Sequence, residues 1–293
     1  MERYYHKPVF EDSFIQYLNI QPDQKVLDCT CGEGGHSSII LKRIGENGFL
    51  VGIDRDKEII EIAKKRLLEI SNNFIILNYS YSEIEDIQKE SGIEKFDRIL
   101  VDLGLSTYHL GNMRRGFSFN SDELLDMRFD KDKTRISAKD IVNKFSEKAI
   151  SDIIFTYGEE RMANRIARAI IDERKRNCID TCRKLSNIVN KAYGYHHGKI
   201  NSATKTFQGL RIYVNSELDE LKKLLNSIHL ITKKDGIIGI ISYHSLEDRI
   251  VKVFLKSSIE FKIINKKVIK PELDEIYKNP PSRSAKLRLA SKI

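Results

Sequence analysis

The sequence predicts an α/β fold: a doubly wound, mostly parallel sheet interrupted by an inserted all-helical domain. Three observations point there. Apolar, β-rich runs alternate with helical patterns through the first third of the chain; a glycine-rich turn joins the first strand to the first helix; and the alternation stops after Leu105 and resumes past residue 204. The 293 residues therefore divide into a core at 1–105 and 205–293 and a helical insertion at 106–204.

The core opens with an expected strand at 25–30, a helix at 36–44, a strand at 49–53, a helix at 56–70 and strands at 74–78 and 96–102. Val26 to Asp54 reads as strand, glycine turn, helix and a second strand closing on a carboxylate, which is how an open α/β sheet builds a nucleotide pocket. Gly32, Gly34 and Gly35 let the backbone pass close to a ligand, and Asp54 is placed to hold a ribose hydroxyl pair. A dinucleotide turn requires G-x-G-x-x-G, but Ser37 takes the third glycine position. Asp28 adds a carboxylate that repels a pyrophosphate and suits an ammonium and a sulfonium, so S-adenosylmethionine (SAM) fits better than NAD. The strand ends carry Asp28, Asp54, Tyr79 with Tyr81, and Asp102, and several edges converge on one crevice.

In the insertion, Ser137 and Ser146 read as helix N-caps, and amphipathic patterns cover 159–176 and 181–193. A strong helix is expected from Phe207 to Ile228, then a buried strand from Gly236 to Ser242. Ser245 with Asp248 forms an S-x-x-D capping box that opens a helix, and a last strand falls near 261–269.

Hydrophobic residues at 41% suffice for a substantial core. A net charge of +8 favours a polyanionic partner if the cations cluster. Four cysteines suggest no disulfide framework, the polar start is not a signal peptide, and no apolar run reaches the roughly 18 residues that span a bilayer. A soluble cytoplasmic protein is expected, with no membrane and no metal. Cys29 with Cys31 and Cys178 with Cys182 could be drawn as a four-thiolate zinc site, but neither pair has the usual spacing.

Asp102 ends the fourth strand, where an incoming nucleophile would be met; it could accept a hydrogen bond from an exocyclic amine, or simply form a turn. Arg114, Arg115, Phe117 and Phe119 combine cations with aromatics, which suits phosphate attraction and base stacking, although aromatic plugs of a core look the same. Arg161, Arg165 and Arg168 recur at helical spacing as a basic stripe beside the apolar Met162, Ile166 and Ile170, with further cations at Arg174, Lys175, Arg176, Arg283, Lys286, Arg288 and Lys292. His244 stands just before the expected cap and is free to face the crevice, whereas His196 and His197 lack a partner at metal spacing.

Taken in order, these segments resemble the bacterial 16S rRNA cytosine-N4 methyltransferases known as RsmH or MraW. The matching stretches are His6-Lys7-Pro8-Val9, Asp28 to His36, Gly52 to Asp56, Asp102-Leu103-Gly104 with Ser106, and Arg115 to Phe119. They continue through Leu125 to Arg128, Gly158 to Arg161, Arg165 to Ile170, Ala203 to Leu218, His244 to Arg249 and Arg283 to Arg288. The resemblance implies a Rossmann-like class I SAM-dependent methyltransferase core with a helical domain that recognises RNA. It implies that the enzyme modifies a cytosine in the decoding centre of the small ribosomal subunit; a monomer or homodimer is expected. By position, Gly34, Gly35 and His36 would wrap the methionine end of SAM, Asp54 its ribose, Tyr81 its adenine surroundings, and Asp102 the region near the methyl group. Cys31 stands where the family usually has Phe, and Tyr108-His109 where it usually has Pro-Gln, at a position where a SAM contact by residue 109 is expected.

Direct in-line transfer to an extruded base needs no covalent intermediate, in keeping with the absence of a Pro-Cys dipeptide. Leu103-Gly104-Leu105 replaces the Pro-Pro-aromatic of DNA amino-methyltransferases, so stacking would come from Phe117, Phe119 or Tyr108. Two rivals remain: a non-catalytic rRNA-binding assembly factor with a retained methyltransferase fold, and an NAD-dependent dehydrogenase, which Ser37 disfavours.

Overall fold

The computed structural model describes residues 7–11, 13–106, 108, 115–194 and 201–293. It divides into two compact units, Met1–Ser106 with Leu218–Ile293, and Thr107–Glu217.

The first unit is a seven-stranded sheet in the order β3-β2-β1-β4-β5-β7-β6. Its strands are β1 (Lys25–Asp28), β2 (Phe49–Ile53), β3 (Phe74–Leu77), β4 (Phe96–Asp102), β5 (Thr232–Ser242), β6 (Phe261–Ile263) and β7 (Lys286–Lys292). The first five pair in parallel, whereas β7 runs antiparallel to both β5 and β6. This is a doubly wound, Rossmann-like core. The parallel strands are nearly continuous apolar runs because both faces are covered, and neighbouring residues point to opposite layers. Leu27, Val51, Ile99 and Val101 pack with Leu221, Leu225 and Ile228 on one side. Val26, Leu50 and Leu100 pack with Ile40, Ile44 and Leu67 on the other.

Three elements differ from those expected. The segment expected as one helix from Phe207 to Ile228 is two, Thr204–Asn215 and Glu217–Ile231, broken at Ser216, whose φ of 52° is left-handed. The helix Ile84–Ser91 was not expected, and the strand drawn near 261–269 stops at Ile263, its partner being the unanticipated β7.

The second unit holds the helices Ala138–Lys144, Glu147–Gly158, Ala163–Arg174, Cys182–Tyr193 and Thr204–Asn215. Ser137 and Ser146 cap the first two, with Ser137 and Asp140 forming a full capping box. The unit ends at Glu217 rather than at 204 because Thr204–Asn215 packs within it. A Cβ on Gly209 would lie 2.9 Å from the backbone nitrogen of Gly158, so two glycines set the closest approach of these helices. Asn215 then pins the loop before the unit's first helix, accepting from the Phe129 N–H at 2.8 Å and donating to the Met127 carbonyl at 2.7 Å. Among the described residues no helix is long and apolar enough to cross a membrane, and no cluster of His, Cys, Asp or Glu could hold a metal ion.

Candidate active site

The strand order reverses between β1 and β4, since the chain leaves β1 toward β2 on one side and reaches β4 on the other. Such a switch point leaves a crevice at the C-terminal strand ends. The two exits are tied together there: the Asp102 N–H donates to Thr30 Oγ1 at 2.7 Å.

After β1 the chain turns tightly. Gly34, at φ 80°, is the left-handed N-cap of the helix Gly35–Ile44, a conformation that glycine adopts without strain. Asp28 and Ser37, which the sequence reading used to choose the ligand, instead brace this turn. The Asp28 side chain is buried; it accepts from Ser37 Oγ at 2.6 Å and from the Thr30 N–H at 3.2 Å, and burial pushes its carboxyl upward. Cys31 is also buried, its sulfur 3.1 Å from where a Cβ on Gly52 would sit, so a small side chain on β2 leaves its room. Burial pushes the thiols of both Cys29 and Cys31 well up, which keeps them un-ionised and poor nucleophiles.

The second exit carries Asp54, half-buried at the end of β2. Its carboxylate accepts from the Gly32 N–H and the Asp56 N–H, each at 2.9 Å, so the turn and the acid orient each other. Asn78, past β3, donates to the Asp54 and Arg55 carbonyls at 3.1 and 3.0 Å. Tyr81 stands in the next loop, between Ser80 and Ser82, whose hydroxyls both bond Glu220 of the helix Glu217–Ile231. Burial works against the Glu220 carboxylate, but hydrogen bonds from Lys223, Ser80 and Ser82 prevail and hold it at about 2. The Tyr81 side chain is half-buried and packs against the core cluster that includes Leu77, Ile84 and Leu221.

The third exit is Asp102. Tyr243, the residue after β5, donates from Oη to Asp102 Oδ1 at 2.9 Å, and His36 Nδ1 lies 3.5 Å from Oδ2. Burial raises the Asp102 carboxyl to about 7, with the Tyr243 hydrogen bond opposing the rise and Glu247 adding to it. A group poised near neutrality is suited to proton transfer. The His36 ring is buried, edge-on to Phe14 at 4.8 Å between centroids, with Nε2 2.8 Å from the Val9 carbonyl. His244 is not free to face the crevice. It is itself the N-cap of Ser245–Ser257, with Nδ1 accepting from the Glu247 N–H while Glu247 reaches back to the His244 and Tyr243 N–H groups. The expected capping box is thus shifted by one residue, and Asp248 instead binds Arg288 at 2.8 Å and Lys286 at 3.4 Å. Sequence reasoning missed Tyr243, Thr30, Asn78 and Glu220. Of these, Tyr243 had a signal: it is the first polar residue after a buried parallel strand.

The residues expected to meet RNA separate into two groups. Arg115 and Phe117 are buried: Arg115 donates to the Phe129 carbonyl at 2.8 Å, and Phe117 stacks on Phe129 at 5.4 Å. Both side chains pack within the insertion. Phe119 is half-buried, edge-on to Phe207 at 6.0 Å. Arg161, Arg165 and Arg168 are exposed, but only the last two lie on the helix Ala163–Arg174, which starts after Met162, and Arg168 approaches Glu147 at 3.6 Å. Arg174 caps the carbonyls of Val142 and Phe145. His6, His109, Arg114, His196 and His197 lie outside the described residues.

The model of the MraW methylase family matches residues 3–293. The ribosomal RNA small subunit methyltransferase H of Dictyoglomus turgidum is 43% identical over 289 residues, covering 98% of this chain and 97% of that protein. The protein of the same name from Thermosipho melanesiensis is 45% identical over 291 residues, 98% of each chain. That of Caldicellulosiruptor saccharolyticus is 42% identical over 308 residues, 99% of this chain and all of the other.

Proposed function

The chain belongs to the MraW methylase family, and on that premise we propose that it methylates the exocyclic N4 amine of a cytosine in the decoding centre of 16S rRNA, with SAM as donor. SAM supplies an electrophilic methyl group on a sulfonium. Asp54 holds the ribose hydroxyls, the turn at Gly32, Gly34 and Gly35 lets the backbone approach the ligand, and Tyr81 borders the adenine. Asp102 accepts the amine hydrogen bond and takes the proton as the nitrogen becomes tetrahedral. A covalent route through Cys29 or Cys31 is disfavoured because both thiols are buried and held un-ionised. Phe119 and the exposed Arg161, Arg165 and Arg168 are assigned to the RNA, the arginines to its phosphates.

The observation that carries this reading is the Asp102 carboxyl, at the switch point of the sheet and raised to about 7. A carboxylate of ordinary strength would be a poorer proton acceptor at neutral pH. The test is incubation of unmethylated small subunits with labelled SAM, followed by nucleoside mass spectrometry and position mapping. Label on N4 of a single cytosine is expected; label on C5, on an adenine or on a ribose would remove the assignment.

A further inference from the structure

Asp102 does not act alone. His36 Nε2 lies 2.8 Å from the Val9 carbonyl oxygen, which only accepts, so this nitrogen carries the hydrogen and the neutral ring presents its Nδ1 lone pair toward Asp102 Oδ2. Burial holds His36 in that neutral form. Two acceptors therefore face each other across 3.5 Å, an arrangement that one proton between them stabilises. The other carboxyl oxygen, Oδ1, is held by Tyr243 Oη. Tyr243 is itself fixed from two sides. Its N–H donates to Glu247 Oε2 at 2.9 Å, and its ring lies 3.3 Å from where a Cβ on Gly104 would sit, with Gly104 at φ 113°. Only glycine leaves β4 in that conformation without strain and makes room for the ring.

Resting on the reading of Asp102 as N4 acceptor, we propose that Tyr243 and His36 are positioning residues that hold Asp102 as a one-proton site, with Oδ1 bound to Tyr243 and Oδ2 sharing the accepted proton with His36 Nδ1. The bonds balance as follows. The N4 lone pair forms the new nitrogen–carbon bond while the carbon–sulfur bond breaks and its electron pair stays on sulfur; N4 then loses one proton to Oδ2. The empty, carboxylate form of the pair is the active one, so transfer rises with pH through the titration of the pair. Tyr243 donates to the carboxylate and so favours the empty form. The other ionisable groups bearing on Asp102 are Asp28 from β1 and Glu247 from the helix Ser245–Ser257, while Asp28, Glu275 and Glu11 bear on His36, and Glu247 and Glu275 on Tyr243. All of these are acids, which favour a proton on the pair, whereas the Tyr243 hydrogen bond favours the carboxylate.

The test is Tyr243→Phe, which keeps the ring packed and removes only the hydroxyl. Losing a hydrogen bond to a charged group moves the midpoint of the pH–rate profile up by about 1–2 pH units. The rate is then depressed roughly tenfold or more near pH 6.5 and recovers toward the wild-type value near pH 9. A second readout needs no turnover: 15N NMR of labelled histidine in the SAM-free protein should show His36 Nε2 protonated throughout and Nδ1 changing with the same midpoint, displaced upward in the variant. A structural role alone would lower the rate equally at every pH and leave the Nδ1 titration in place. Either outcome overturns the proposal, provided Asp102→Asn abolishes transfer. If Asp102→Asn retains full transfer, the reading of Asp102 as acceptor fails first, and the proposal with it.

Discussion

Asp102→Asn separates catalysis from stability. The ordinary carboxyl value is 3.8, and burial raises Asp102 to about 7. At 1.36 kcal/mol per pKa unit, that difference corresponds to roughly 4 kcal/mol. Because 20% of the side chain reaches solvent, about 2–4 kcal/mol is the working range. The sign follows from the direction: a carboxyl raised in the folded state favours folding in its protonated form. Its contribution is fully present below pH about 4, is lost as pH rises toward about 7, and is flat above that. Asparagine resembles the protonated carboxyl, accepting from Tyr243 with its oxygen and donating to His36 Nδ1 with its amide. The variant is therefore expected to be more stable than the parent by about 2–4 kcal/mol at pH 8 and nearly equal to it at pH 4, while methyl transfer falls by roughly 10²–10⁴. Urea unfolding of both proteins across pH 4–8 measures the first, and label transfer to small subunits the second. A variant that is less stable at pH 8, or whose stability difference does not change with pH, would refute the argument that Asp102 is strained by its charge.

Asp54→Ala is expected to weaken SAM binding about 10–100-fold by calorimetry, the worth of one or two hydrogen bonds to a charged group; unchanged affinity would dismiss the ribose assignment. Removing both cations in Arg165→Ala/Arg168→Ala should flatten the salt dependence of RNA binding by roughly 1.5 in log–log slope if each meets one phosphate, and an unaltered slope places the RNA elsewhere. Gly209→Ala puts a Cβ 2.9 Å from a backbone nitrogen and 3.3 Å from the Ile153 carbonyl oxygen. Overpacking of about 1–3 kcal/mol outweighs roughly 1 kcal/mol of helix propensity, so the midpoint of urea unfolding should fall; a midpoint at or above the parent's would mean that the two helices separate at no cost.

The parallel half of the sheet was legible because strands covered on both faces are short apolar runs: β2 and β4 fall within the bounds read from the residues. The break at Ser216 was not, since Leu210, Val214, Leu218 and Leu221 keep a helical period across it and a left-handed serine carries no compositional mark. β7 was hidden in another way. Lys286, Leu287, Arg288 and Leu289 alternate as a strand should, yet the charges drew attention first; in the fold Asp248 neutralises both cations. The helix Ile84–Ser91 buries only Ile84 and Ile87, too few positions to show a period.

At the site, residue type foretold location better than role. Asp28, His36 and Ser37 do stand at the glycine turn, and Arg115 and Phe117 at a cation–aromatic loop, but all five side chains are buried. A motif gives spacing along the chain; whether a polar group meets a ligand or braces the loop that does depends on which way the turn rolls it, and that is settled by packing partners distant in sequence. Val9 fixes the tautomer of His36 from 27 residues away, and Tyr243 reaches Asp102 across 141. Neither pairing has a local signature. The parallel pairing that brings the ends of β4 and β5 side by side creates the second, so the order of the strands confers chemistry on side chains that would be inert apart.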